Sequence, residues 1–521
     1  MTAYRASRPR RIRPVCLNRD GSSKHKPLHH PIKKLHEQAT KDFETLIQHQ
    51  SKTLSEAVEE YKRRYGRSPP LGFDKWFKFA TKHDSVIIDD FDMITESIEP
   101  LWQMTPVALD NSFQSAKNGP SINTLSIRDG KAIVSKDNWM GEYIAQVLED
   151  VLPNISDLQI LMNGLDEPRV LLARSAPVGW SDTSLEPSWA RVSEPCSRRP
   201  NSKIPAAGLQ SRVDTYDISF VTDIWQSKDI CKNPNFEYQH GFLVAPSTFI
   251  TTSLPLAVLS QATVSTFSDI LYPSMFYYGA AQWKFDDVDV AWENKSNKLY
   301  WAGSTTGSFS DSKRDQMFES HRHRFNRLTN GLDHRSHSFL TQSGSKGWKQ
   351  YESDEVLSQL YDTKFTSAVQ CWEDDCGKQY DHYKFSSHEN STKAFSSRFL
   401  MDLDGNSFSG RFYNFLKSRS CALKMTIFRE WHDERLMPWF HYIPISVGME
   451  ELPEAVRFLA LTSEGGTIAE EVAMQGRKWH DKMLREEDAA IYLYRLFLEY
   501  ARVSHKGRDD GDMDMPELKK S

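Results

Sequence analysis

The chain has 521 residues, which allows about three domain-sized units or two larger ones with extensions. Its 65 basic and 70 acidic residues give a net charge of −5, and this balance argues against nucleic acid or an anionic membrane as the main partner. Its 6 cysteines are too few for a fold built on disulfides, although the spacing in CWEDDC, Cys371 to Cys376, predicts a small disulfide-closed loop in an oxidising compartment.

The chain begins with a basic N-terminus followed by a helical region. Residues 1–30 are basic and polar, and we predict that they are disordered. They contain no apolar signal-type stretch, and nowhere does a run approach the roughly 18 apolar residues that span a bilayer. Residues 31–101 are predicted to be helical, since apolar residues recur at helical spacing from Pro31 to Tyr65, as one helix or two, before the breaker GRSPP.

Residues 102–265 mix strands and helices and are predicted to form an α/β domain. The strand patterns are KAIVS, DLQILMN and GFLVAP, each an apolar run flanked by polar or turn residues. A polar stretch from Ser175 to Ala206 is predicted to be a long loop beside a cleft.

Strands and helices alternate over residues 266–465, as in a nucleotide-binding domain. Two amphipathic helices, Ile468 to Leu484 and Asp488 to Val503, are predicted in a closing segment of residues 466–505. Residues 506–521 form an acidic tail that we predict to be disordered.

The segment RFLMDLDGNSFSGRFYNFLKSRSCALKMTIF, Arg398 to Phe428, predicts a strand, a small polar turn, an amphipathic helix and a second strand. The small side chains of Gly405, Ser407 and Ser409 let a ligand approach the backbone of the turn. Helix N–H groups and the Arg411 guanidinium can face an anion there. The turn therefore suits a nucleoside diphosphate.

A second turn of this kind ends the segment KLYWAGSTTGS, Lys298 to Ser308. Downstream, the aromatic segment REWHDERLMPWFHYIPI, Arg429 to Ile445, contains Trp439, His441 and Tyr442, whose rings could stack on a base or sugar or pack in a core. Two phosphate-type turns and an aromatic wall together indicate a nucleotide-sugar pocket.

At these residues the chain resembles glycosyltransferase family 90, which includes fungal capsule-associated proteins and animal Rumi-type protein O-glucosyltransferases. Three further segments also resemble the fungal branch: PIKKLHEQATKDFETLIQHQ near the N-terminus, ILMNGLDEPRV, and REEDAAIYLYRLFLEYARV near the C-terminus. The resemblance implies an α/β, GT-B-like fold, in which two Rossmann-like domains, residues 102–265 for the acceptor and 266–465 for the donor, face a cleft.

The resemblance also implies a catalytic aspartate at Asp166. This residue follows an apolar strand, so its carboxylate is placed at the strand's carboxyl end, facing the crevice. An inverting sugar transfer needs one base that takes the proton of the acceptor hydroxyl. The alternative from the residues alone is that Asp166 caps a turn before Pro168.

For the donor, the resemblance implies a UDP-sugar, UDP-xylose or UDP-glucose, and it matches Arg411 to an arginine that contacts the diphosphate. The animal enzymes have an arginine where this chain has Thr305, so the contacts that bind the diphosphate are expected to differ in detail. The predicted donor-binding residues are Gly303, Ser304, Thr305, Thr306, Gly307, Asp404, Ser407, Ser409, Arg411 and His441.

Asp402 and Asp404 form a D-x-D pattern that is typical of manganese sites in other transferases. The resemblance argues against a metal, because the animal relatives carry neutral or basic residues there. We therefore expect no metal or other cofactor, and we assign Asp404 to ribose or sugar hydroxyls. The four histidines between His321 and His337 form a weaker candidate for a zinc site.

The function predicted from the sequence is transfer of xylose or glucose from a UDP-sugar to a hydroxyl of a glycan or glycoprotein. The resemblance implies the secretory-pathway lumen, and membrane contact only through an N-terminal anchor, for which these residues show no pattern. A catalytically silent glycan-binding protein of the same fold is the alternative. A glycoside hydrolase is a third hypothesis and needs a second acid about 5–10 Å from Asp166.

Overall fold

The computed structural model of the protein describes residues 29–173, 179–198, 213–278, 288–314, 318–343, 347–354, 357–387, 389–508, 511 and 513–516. Residues 1–28, which are most of the predicted disordered N-terminus, lie outside the described residues. In the described ranges, no helix combines the length and the apolar character that crossing a membrane requires.

The N-terminal region is helical, and its first stretch forms two helices. In chain order the helices are α1 (Pro31–Gln48), α2 (Leu54–Tyr65), α3 (Phe73–Lys82), α4 (Asp92–Ile98) and α5 (Pro106–Ala116). Thr53 and Glu56 form a reciprocal capping box at the start of α2, and Gly66 ends it with a φ of 66°. The break at Thr53 is therefore specified by local capping chemistry.

The next part of the chain contains a mixed sheet. Its elements are β1 (Ile122–Arg128), β2 (Lys131–Val134), α6 (Trp139–Val147), β3 (Leu158–Asn163), β4 (Trp180–Asp182), α7 (Trp189–Val192), α8 (Ile224–Ser227), α9 (Gly241–Val244), β5 (Ile250–Thr252), β6 (Val258–Ser260) and β7 (Ile270–Leu271). The strand order is β2-β1-β3-β6-β7, antiparallel from β2 to β3 and parallel from β3 to β7. The sheet thus extends past the boundary predicted at residue 265.

Two of the three strands predicted in this part are confirmed, as β2 and β3. The third prediction, GFLVAP, is wrong, because Gly241–Val244 forms the short helix α9, with the His240 side chain accepting from the Phe242 N–H. Within the loop predicted between Ser175 and Ala206, the described residues include β4 and α7. Cys196 forms a disulfide with Cys231, which the spacing did not predict.

The second sheet is entirely parallel. Its part of the chain contains β8 (Ser296–Ser304), α10 (His321–Thr329), the hairpin β9 (His337–Gln342) and β10 (Trp348–Ser353), β11 (Tyr361–Ser367), α11 (Glu373–His382), β12 (Ser397–Leu403), α12 (Phe412–Lys417), β13 (Cys421–Met425), β14 (Ile443–Pro444) and α13 (Leu452–Leu461). The strand order is β11-β8-β12-β13-β14. The predicted disulfide between Cys371 and Cys376 is present before and within α11.

Ranked along the chain, the second sheet has the doubly wound order 2-1-3-4-5. The connections leave the central pair, β8 and β12, toward opposite edges of the sheet. At such a switch point the two following loops diverge and leave a crevice outside the carboxyl ends of the strands. The α/β class is therefore confirmed, whereas two Rossmann-like domains facing a cleft stay a prediction.

Two C-terminal helices, α14 (Ser463–Met483) and α15 (Glu486–Ser504), close the structure. Helix α14 packs on α12 and β13, while α15 packs on α3, α4 and β3. Helix α15 is buried from Asp488 to Val503, so it joins the N-terminal helices to the first sheet. Met513 and Met515 are also buried, and their backbones bond to Leu71 and Pro69, which contradicts disorder at these tail residues.

Candidate active site

Two loops meet at the switch point of the second sheet. One continues from β8 through the predicted turn Gly303–Gly307, and the other continues from β12 through Gly405. Gly307 has a φ of 103°, and a Cβ atom on it would lie 2.7 Å from the carbonyl oxygen of Gly405. Only glycine fits this approach. The structure thus brings together the two turns that the sequence singled out separately.

Arg322, at the start of α10, ties these two loops together. Its Nε donates to the carbonyl oxygen of Asp404 at 2.7 Å, and its Nη1 donates to the carbonyl oxygen of Ser304 at 3.0 Å and to Thr306 Oγ1 at 2.5 Å. Burial, and then the charge of Arg411, lower the pKa of Arg322 to about 9. Arg322 is not predicted from the sequence, because the run HRHRF indicates a candidate metal site through its histidines and gives no signal for the arginine.

Arg411, as predicted, lies beside the same loops. It immediately precedes α12, and its Nη1 donates to the carbonyl oxygen of Ala302, near the end of β8, at 2.7 Å. Burial lowers its pKa, while the charge of Asp402 raises it. In the described part of the chain, neither Arg322 nor Arg411 forms an ion pair with a carboxylate. A buried guanidinium group, that of Arg322, and a half-buried one, that of Arg411, near the carboxyl ends of parallel strands suit a diphosphate.

The serine and threonine residues of the two turns make different contacts. Thr305 is fully buried, and its Oγ1 donates to the carbonyl oxygen of Val369 and accepts from the Val369 N–H, each at 2.9 Å. The Thr305 hydroxyl therefore fixes the loop and is not available to bind a UDP-sugar. Ser407 Oγ is buried and has no partner among the described residues, and Ser409 accepts a hydrogen bond at its carbonyl from Tyr277.

Asp404 does not face the crevice. Its side chain is fully buried, and Oδ2 accepts from the Ile427 N–H at 3.0 Å and from His240 Nε2 at 3.1 Å. Asp402 is equally buried and forms an ion pair with Lys424 Nζ at 2.8 Å. The prediction that Asp404 contacts sugar hydroxyls is wrong for this arrangement. The Lys424 ammonium also neutralises the carboxylate that a D-x-D cation would need.

The histidines of α10 are structural. His321 Nδ1 accepts from the Gly241 N–H, so its Nε2–H donates to the carbonyl oxygen of Asp404 at 2.8 Å. His323 Nε2 contacts Gln379 Oε1 at 3.1 Å. Burial lowers the pKa of both histidines, which keeps them neutral. Throughout the described residues, no three His, Cys, Asp or Glu side chains are grouped so that they could hold a metal.

Asp166 is an exposed residue in the segment after β3. Asn406 Nδ2 donates to Asp166 Oδ2 at 3.4 Å, and among the described residues no backbone N–H donates to it, which disfavours the turn-capping alternative. Desolvation by the surrounding protein raises the pKa of Asp166, and the bond from Asn406 lowers it. The neighbouring Glu167 is buried, and desolvation raises its pKa to about 8.

A buried arginine holds the Asp166 segment in place. The guanidinium of Arg169 donates to Asn163 Oδ1 at 3.0 Å and to the carbonyl oxygen of Ile250 at 2.7 Å. The backbone N–H groups of Arg169 and Val170 each donate to the carboxylate of Asp269 at 2.8 Å. These contacts anchor the segment to the end of β3, the start of β5 and the residue before β7.

Asn406 connects the Asp166 segment to the loop after β8. Its Oδ1 accepts from the Gly307 N–H at 3.3 Å and from Gln370 Nε2 at 2.9 Å. Gln370 Oε1 also accepts from the Gly307 N–H, at 3.0 Å. Neither amide was predicted from the sequence, and no motif indicates that Gln370 and Asp166 approach the same turn.

His441 lies apart from these loops, so its assignment as a donor-binding residue is wrong for this structure. It precedes β14, at the amino end of the sheet, whereas the crevice is at the carboxyl ends. Its ring stacks on Trp479 and meets Phe43 edge-on, and its Nδ1 accepts from the Met437 N–H. The residue serves packing between α1 and α14.

Two comparisons with known proteins bear on this site. The model of Glycosyl transferase family 90 matches residues 255–509, which include both turns, Arg322 and Arg411 but not Asp166. The chain is 26% identical over 273 residues to the O-glucosyltransferase rumi homolog of Aedes aegypti, across 48% of this chain and 56% of that protein. To Protein O-glucosyltransferase 1 of Rattus norvegicus and of Mus musculus it is 21% and 22% identical over 269 residues, across 47% of this chain and 57% of each relative. The chain spans about half the length of the curated relatives it matches.

Proposed function

We propose that this chain, whose residues 255–509 match the model of glycosyl transferase family 90, is an inverting glycosyltransferase that uses a UDP-sugar. The observation that carries the proposal is the pair of glycine turns at the switch point, with Arg322 and Arg411 beside them and Asp166 linked to them by Asn406. The printed names of the relatives support transfer of glucose to an oxygen. Xylose is the second donor to test, and the acceptor is a hydroxyl of a glycan or glycoprotein.

In the proposed reaction, the acceptor hydroxyl oxygen bonds to the anomeric carbon while the bond from that carbon to the β-phosphate oxygen breaks. The hydroxyl proton moves to the carboxylate of Asp166, and the bonding electron pair leaves with UDP. Arg411 and the N–H groups of the turns stabilise the charge that develops on the diphosphate. Attack opposite the leaving group inverts the anomeric configuration.

The test of the proposed function is a panel of UDP-sugars, assayed for UDP release with and without glycan and glycoprotein acceptors. Acceptor-dependent release from UDP-glucose or UDP-xylose supports transfer. Binding of glycans without any release supports the catalytically silent alternative, whereas release of sugar from a glycan without nucleotide supports a hydrolase.

We propose an oxidising, secretory-pathway compartment for the protein. The disulfides Cys196–Cys231 and Cys371–Cys376 support this location, because disulfides are rare in reducing compartments. Alkylation of the protein as it is isolated from cells tests it: labelling of these four cysteines without prior reduction contradicts the proposal.

We predict that Arg411→Ala weakens the affinity for UDP by about 1.5–3 kcal/mol, the range for hydrogen bonds to charged groups. Isothermal calorimetry measures the change. Arg398→Ala is the matched control, since Arg398 lies at the amino end of β12, opposite to the turn that precedes Arg411, and packs over Trp292. Equal UDP affinity in Arg411→Ala and the parent protein would contradict the assignment.

We propose that transfer requires no metal, and we expect EDTA to reduce the rate by less than about fivefold, the part that weak ion screening of the diphosphate supplies. Arg411 and Arg322 supply positive charge beside the turns, and Lys424 already pairs with Asp402. The rate is measured with and without EDTA and after adding Mn²⁺. Complete loss on chelation, restored by Mn²⁺, would overturn the metal-free mechanism.

A further inference from the structure

The position of a donor sugar follows from the chemistry of UDP-sugars. The anomeric carbon is bonded directly to the β-phosphate, so a diphosphate at the turn Gly303–Gly307 places the sugar ring beside that turn. The base must face the acceptor oxygen at the same carbon. A side chain that contacts both the turn and Asp166 therefore lies against the reacting centre.

Asn406 makes both of these contacts, and its orientation is fixed by chemistry. Its Oδ1 accepts from two donors, the Gly307 N–H at 3.3 Å and Gln370 Nε2 at 2.9 Å. Its Nδ2 must then face Asp166, whose ionised carboxylate only accepts hydrogen bonds. A flipped amide would place the NH2 group against two donors and the oxygen against a carboxylate.

Gln370 supports Asn406 from the other side. Its carbonyl oxygen accepts from the Ser310 N–H at 2.8 Å, and its Oε1 accepts from the Gly307 N–H at 3.0 Å. The side-chain amide of Gln370 is thereby held between the turn and Asn406. Because the Gly307 N–H has this second acceptor, removal of the Asn406 side chain leaves the turn hydrogen-bonded.

Resting on the proposed function, we propose that Asn406 is a positioning residue that aligns the Asp166 carboxylate with a donor sugar held by the turn Gly303–Gly307. The contact to Asp166 at 3.4 Å joins two segments 240 residues apart in the chain. Among the described residues, Asn406 is the side chain that donates a hydrogen bond to Asp166. Glu167 is the neighbouring titratable group, and the charge of Asp166 raises its pKa. Without Asn406, the carboxylate keeps its segment but loses its link to the donor loop.

The test compares Asn406→Ala and Asn406→Asp with the parent protein. Misplacing a reacting group by about 1 Å costs up to about 100-fold, so we expect kcat to fall by about 10- to 100-fold while UDP affinity stays within about threefold. In Asn406→Asp, a second carboxylate beside Asp166 raises the pKa of the base. We therefore expect the acidic limb of the profile of kcat/KM against pH to move to higher pH by at least about one unit.

Asn235→Asp is the matched control, because Asn235 is exposed and belongs neither to the two loops nor to the Asp166 segment. Gln370→Glu is the second variant: it keeps an acceptor for the Gly307 N–H but cannot donate to Asn406, so we expect a smaller fall in kcat. Circular dichroism and melting temperature check that each variant folds.

If the parent protein turns over a UDP-sugar and both Asn406 variants keep its kcat and pH profile, this inference is overturned. The proposed function then still stands. A loss of UDP affinity with unchanged kcat also overturns the inference, because Asn406 would then be a ligand of the diphosphate. Absence of turnover by the parent protein with every UDP-sugar overturns the proposed function and this inference together.

Discussion

Replacing Asp166 with asparagine is expected to lower turnover by at least about 100-fold and to leave UDP affinity nearly unchanged. The substitution keeps the shape of the side chain and its contact to Asn406 but removes the group that takes the acceptor proton. UDP release at saturating donor and acceptor measures the turnover, and calorimetry measures the affinity. Turnover within about threefold of the parent protein would show that another group is the base.

The control for this substitution is Asp150→Asn. Asp150 lies in the exposed turn before β3, so the same change there should leave turnover unaltered. The pH profile gives a second check. Desolvation raises the pKa of Asp166, and a base is active only when ionised, so activity should decline as the pH falls through a value above the ordinary range of aspartate.

Replacing Lys424 with methionine is expected to lower the free energy of unfolding by about 3–5 kcal/mol, the cost of breaking a buried ion pair. Lys424 lies on β13 beneath the loops, with its ammonium 2.8 Å from Asp402 and 3.5 Å from Glu430. All three side chains are buried, so the substitution removes the ammonium group that lies against both carboxylates. Urea unfolding followed by tryptophan fluorescence measures the change.

Two further variants separate the ion pair from general effects. Lys393→Met removes an exposed lysine that pairs with Glu389 four residues earlier, and such pairs contribute less than about 1 kcal/mol. The double variant Lys424→Met with Asp402→Leu removes both members of the buried pair and should recover much of the lost stability. A Lys424→Met variant as stable as Lys393→Met would contradict the assignment.

The sequence alone determined the local parts of this protein. Apolar runs followed by glycine and serine predicted the ends of β8 and β12, and the strand, turn and helix around Arg411 follow from the same local pattern. The motifs also indicated a resemblance to glycosyltransferase family 90, and the model of that family matches residues 255–509. Local patterns suffice here because turn geometry and helix capping depend on residues a few positions apart.

Only the tertiary structure decided which side chains face the crevice. Asp404 and Thr305 lie in the predicted turns, yet their side chains point into the protein, toward His240 and Val369. A residue that follows a strand can turn either to the crevice or to the core, and long-range partners decide between the two. The same argument applies to His441, whose aromatic neighbours on α1 and α14 make it a packing residue.

The long-range contacts of the site could not be predicted from the sequence either. Arg322 reaches the carbonyl oxygen of Asp404 across 82 positions, and Asn406 reaches Asp166 across 240. Nothing in the local sequence around any of these residues indicates its partner. Their meeting depends on the strand order of the second sheet and on the packing that brings β3 toward it. The sequence determined which turns can hold an anion, and the packing of the chain decided which charges and amides surround them.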